Sequence, residues 1–216
     1  MGDASFDRQF MDVKGWVKKS RELMISAHYL VAVWVILYST GQDVPNLSDG
    51  GLQKHPYEAW KVVGDSATFL VALSLENALN GHLIKKGAIY LDNQGRVAGI
   101  DGKHDLSALV KKSDYSPDNN EEKSLRVLTC QLRFLGLAPA QRPRSGDGGE
   151  EWQKPPERLG SPVNYYRLAN AIIESVLDGE LRDLYFSSDG SYEHIPRQPE
   201  FSATPIRQSD WPTASD

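Results

Sequence analysis

Glu76 and Asn80 stand four residues apart inside an otherwise apolar stretch, so on a helix they share a face with Leu73 and Leu83. A carboxylate in that setting needs a donor, because burying an unpaired charge is costly. Asn80 itself, a histidine, an arginine or a backbone amide can supply it, and His104 is the natural partner by type. Such a group is either a satisfied structural network or part of a site, since perturbed carboxylates gather at functional sites. The five histidines, His28, His55, His82, His104 and His194, are scattered, and no pair has the short helical separation of metal ligands. No metal and no cofactor is expected. There is no glycine-rich phosphate loop ending in Lys-Ser or Lys-Thr, no Gly-x-Ser-x-Gly elbow and no His-Glu-x-x-His helix. Cys130 is the single cysteine, which excludes an intrachain disulfide and a thiolate zinc cluster.

The elements that must position these residues are helical by their apolar spacing, and no alternating run builds a sheet of several strands. The expectation is an all-α bundle of about four to five helices. A first helix covers about residues 10–40, stopped by Gly41 and Pro45. A second covers about 57–86, with a stripe of Trp60, Val63, Ala67, Leu70 and Val71 leading into the all-apolar FLVALSL at 69–75, the mark of the most buried helix. Gly87 ends it, and the glycine-rich stretch 88–103 has room for a short hairpin around AIYLDNQGRVAGI. Asp105 is a good N-cap for a short helix through Leu106, Leu109 and Val110. Asn119, Asn120, Glu121 and Glu122 open the next, whose stripe is Leu125, Leu128, Leu132 and Leu135. Residues 138–160 read as a mobile loop. Ser161 and Pro162 cap a final helix running through Ala169, Ile172, Ile173, Val176, Leu177, Leu181 and Leu184. One domain over 1–187 and a flexible tail over 188–216 complete the reading.

The segments LVALSLENALNGHLIKKG at 70–87 and GKHDLSALVKK at 102–112, followed by another leucine-striped helix, resemble the HEPN domain superfamily over about residues 10–137. Its members carry a glutamate in a long apolar helix and a His-Asp-Leu triplet opening the next, which correspond here to Glu76 and to His104, Asp105 and Leu106. Asn80 stands where many relatives carry the lysine of a Glu-x-x-x-Lys pair. The resemblance implies a compact helical bundle, often a homodimer, of bacterial toxin, antiviral or nucleotide-associated systems, and in many members a metal-independent RNA endonuclease. The implied catalytic signature is an arginine followed after four to six residues by a histidine, in which arginine stabilises the phosphate and histidine moves the 2′-hydroxyl proton. That motif is missing from the last core helix. Its one formal match is Arg21 and His28 in the first helix, two turns apart on one face, and these are the implied catalytic pair; Glu76, Asn80, His104 and Asp105 are the implied ligand or structural network.

The 216 residues carry a net charge of −5, which excludes a uniformly basic nucleic-acid wrapper and makes any anion site local. Two segments are nevertheless basic: Arg8, Lys14, Lys18, Lys19 and Arg21 against Asp12, and Lys85, Lys86, Arg96, Lys103, Lys111 and Lys112 against Asp92, Asp101 and Asp105. Lys18, Lys19, Lys103 and Lys111 are the candidate contacts to an RNA backbone. The alternative is a non-catalytic interaction module that recognises a protein through 138–160 or the tail. The apolar run 23–38 has 16 residues and holds Ser26 and His28, short of the roughly 20 that span a bilayer, so a cytoplasmic protein without a membrane partner is expected.

Overall fold

The computed structural model describes residues 10–40, 56–100, 104–135 and 161–186. The stops at Gly41 and Pro45, the loop 138–160, the tail 188–216, Lys103, His55 and His194 lie outside the described residues. The fold is all-α; the described residues form six helices and one minimal hairpin in order: α1 (Val13–Thr40), α2 (Pro56–Lys85), β1 (Tyr90–Leu91), β2 (Val97–Ala98), α3 (Leu106–Lys112), α4 (Asn119–Leu135), α5 (Pro162–Val176) and α6 (Gly179–Phe186).

α2 is the axis of the bundle and packs against α1, α3, α4 and α5. Nearly every residue from Val71 to Ile84 is buried, as a segment apolar on all sides requires. α1 runs antiparallel to it: Gly81 meets Val17, Ser20 meets Ser74 and Gly64 meets Trp34. At Ser20 and Ser74 each hydroxyl donates to the other residue's carbonyl, at 2.7 and 2.8 Å, a reciprocal polar clamp in an apolar seam. Each such bond contributes on the order of 1 kcal/mol.

The local stops follow the chemistry of the residues there. Gly87 at φ +73 carries the left-handed turn that ends α2, and the Ala88 amide donates to the Leu83 carbonyl. The hairpin pairs Tyr90 with Ala98 and Leu91 with Val97. Asp92 closes its tip by accepting from the Gln94 and Arg96 amides and from the Arg96 guanidinium. Ser161 caps α5 through the Asn164 amide, with Pro162 in the first turn.

The single final helix expected over 161–184 is two helices. α5 ends at Val176, Leu177 turns to an extended conformation, and Gly179, the first residue of α6, takes φ +47. The apolar spacing continues through Leu177, Leu181 and Tyr185 because both helices pack on the same core. A buried stripe records a shared neighbour, not an unbroken backbone.

Among the described residues two helices, over Val13–Tyr38 and Lys61–Lys85, are long and apolar enough to cross a membrane by length and composition. The second is 61% buried within the bundle and the first 33%, and α1 carries an exposed apolar face. Tyr29, Val33 and Ile36 lie on that face, with Val62 of α2 exposed at the same end.

Candidate functional site

Glu76 sits in the middle of α2 and is 8% exposed, and the residues around it, Leu75, Leu79 and Ala72, are sealed completely. Its Oε1 lies 2.7 Å from Nδ1 of His104, twenty-eight positions along the chain. The two ends of the contact differ in setting: the Glu76 side chain is 11% exposed and the His104 side chain 60%. With an ionised carboxylate and a neutral ring the proton lies on Nδ1 and Nε2 is the acceptor nitrogen. A buried carboxylate therefore orients an imidazole whose side chain is largely exposed.

The three residues after the hairpin divide the labour. His104 takes a left-handed backbone, φ +50, unusual for a residue with a Cβ and worth about 1–2 kcal/mol of strain. Asp105 is the N-cap of α3 and accepts from the Ala108 amide at 3.1 Å. Leu106 is fully buried, and its amide donates to Thr129 Oγ1 of α4. Cap and core anchor together hold the turn, and the Glu76 contact fixes the ring that the turn projects. Asn80 is buried one helical turn beyond Glu76, and Asn77 returns its amide to the Leu73 carbonyl at 2.6 Å.

Arg21 and His28 do share a face of α1, and that face is the inner one. Arg21 is 6% exposed. It lies beside Tyr185 of α6, whose phenol burial pushes up while Ser74, Ser20 and the Arg21 charge act the other way. His28 is half-buried against the rings of Tyr29 and Tyr166, and burial pushes its pKa down, which favours the neutral ring. Arg21 thus sits where α1 meets α6, and His28 where α1 meets α5.

The basic segments are partly neutralised by ion pairs, all but Lys19–Glu22 between different elements. Lys14 reaches Glu180, Lys19 reaches Glu22, Lys85 reaches Asp178, Lys86 reaches Asp114 and Lys111 reaches Glu122 at 3.3 Å. Lys18 is exposed on α1. Thr129, Tyr166 and Tyr185 have roles the sequence did not signal, since a threonine or tyrosine inside a leucine stripe reads as an ordinary helical residue. Among the described residues no cluster of three or more His, Cys, Asp or Glu could hold a metal. Comparison with protein-family models, with curated proteins and with solved structures finds no match.

Proposed function

We propose that this chain is a HEPN-like cytoplasmic helical protein that binds RNA or a nucleotide-bearing partner at the start of α3, with His104 as its proton-transferring group. The observation that carries the reading is the Glu76–His104 contact, in which a buried carboxylate aligns an exposed imidazole. The same residues carry the sequence resemblance. In the catalytic form of the proposal, Nε2 of His104 takes the 2′-hydroxyl proton as that oxygen attacks the adjacent phosphorus. The 5′-oxygen leaves and recovers a proton from the imidazolium, giving a 2′,3′-cyclic phosphate without a metal. Glu76 stabilises the imidazolium in between, as a buried carboxylate does for a general base.

The test is incubation of the full chain with single-stranded RNA in the presence of a chelator. His104→Gln retains a donor for Glu76 and has no basic nitrogen, so cleavage falls by about 10²–10⁴-fold while binding is kept. Glu76→Gln falls less, because the ring remains and only its alignment and charge support are lost. Unchanged cleavage in His104→Gln removes the catalytic assignment. A wild-type chain that neither cuts nor binds RNA at about 50 mM salt removes the reading as a whole.

A second reading is favoured by the exposed apolar face of α1. Tyr29, Val33 and Ile36 are 59%, 43% and 59% exposed, and Val62 is 61% exposed. Four large apolar side chains at one end suit a non-catalytic interaction module, with a second copy of the chain as the partner.

A further inference from the structure

His82 lies in the last turn of α2 and is 8% exposed, and neither ring nitrogen has a hydrogen-bond partner among the described residues. A buried imidazole normally satisfies at least one nitrogen. Around it two turns are tied to the end of α2 by charge, and a third ion pair lies beside them. Lys86 pairs with Asp114, in the turn between α3 and α4, and Lys85 pairs with Asp178, in the turn between α5 and α6. Lys14 of α1 pairs with Glu180 of α6, itself within the field of Lys85. Asp114 holds φ +62, a left-handed conformation kept at a cost by its surroundings.

We propose that His82 is an acid-sensitive latch: its neutral ring seats the end of α2 between these turns, and its protonation releases Asp114 and Asp178 from that end. Three lysines and three carboxylates are already matched, so the neutral ring fits without disturbing a pair. A proton on the ring creates a buried cation with no acceptor of its own. It must then either take an aspartate from its lysine or leave its seat. The first outcome keeps that turn on α2; the latch is the second, in which the displaced ring carries the end of α2 away from both turns, while the opposite end of the bundle, around Trp34 and Gly64, is untouched.

Burial pushes the His82 pKa down, and Lys86 and Lys85 add to this, while Asp178 and Asp114 oppose it. The sign follows from linkage. A folded-state pKa below the unfolded one, near 6.5, gives stability that is fully present above about pH 6.5 and is lost as pH falls below it.

The experiment is amide hydrogen exchange on the full chain at pH 7.5 and pH 5.5, corrected for intrinsic rates, with His82→Leu alongside. In the wild type, protection over 111–116 and 177–182 falls at least tenfold in acid, and Tm falls by roughly 2–4 °C. In His82→Leu the acid loss of protection over these two segments disappears and the fall in Tm shrinks to the share of half-buried His28. The same acid loss in the variant overturns the proposal. Should the variant fail to fold, the wild-type His82 ring is titrated by NMR. Titration below 6.5 accompanied by shifts of the Asp114 and Asp178 amides supports the latch, and titration at 6.5 or above, or without those shifts, overturns it.

Discussion

At the residue scale, position 104 does two things that ordinarily conflict. It supplies the ring held by Glu76 and it occupies a left-handed backbone that a β-carbon disfavours. The strain is tolerated because Asp105 caps α3 and Leu106 is locked in the core on either side of Thr129's hydroxyl bond. These two roles separate by substitution. His104→Ala removes the donor for Glu76 and keeps the strain, whereas His104→Gly removes both. We expect His104→Gly to be the more stable of the two by about 1 kcal/mol, read as a Tm higher by roughly 2–4 °C. Equal Tm values would mean that the turn at 104 is relaxed and that the ring is held by Glu76 alone.

At the element scale, the approach of α1 to α2 depends on small residues at two crossing points. A Cβ on Gly81 would meet Val17, Trp16 and the Val13 carbonyl at 3.1–3.3 Å. A Cβ on Gly64 would stand 2.9 Å from two atoms of the Trp34 indole, a ring 2% exposed and stacked on Tyr38. An alanine in an exposed helix would gain up to about 1 kcal/mol over glycine. At Gly64 the displaced indole outweighs that gain, since overpacking costs about 1–3 kcal/mol. Gly64→Ala is therefore expected to lower Tm and to shift tryptophan fluorescence, and a rise in Tm would show that the indole yields freely. The break between α5 and α6 belongs to this scale too: Gly179 and the extended Leu177 interrupt a stripe that reads as continuous.

At the scale of the whole molecule, part of the charge of the two basic segments pairs across elements, through Lys14–Glu180, Lys85–Asp178 and Lys86–Asp114. α1 also exposes apolar side chains, Tyr29, Val33 and Ile36. If a second copy covers them, Val33→Glu with Ile36→Glu converts a dimer to a monomer by light scattering without loss of helicity. A dimer that survives the double substitution places the interface elsewhere, and a monomeric wild type removes the second-copy reading.

The sequence by itself determined what short-range free energies decide. Asp105, Ser161–Pro162 and Gly87 mark helix ends because caps and left-handed turns act within a few residues. The hairpin at 90–98 is set by Asp92 and Gly95 at its tip. The buried Glu76 was visible as a carboxylate in need of a donor. Only the tertiary structure decided that the donor is His104 with its ring at the surface, that Arg21 faces inward, and that one side of the apolar run 23–38 is left uncovered. A helix that is apolar all round gives no sign of which side its neighbours will cover. That choice depends on how the other helices pack, through contacts between residues far apart in the chain.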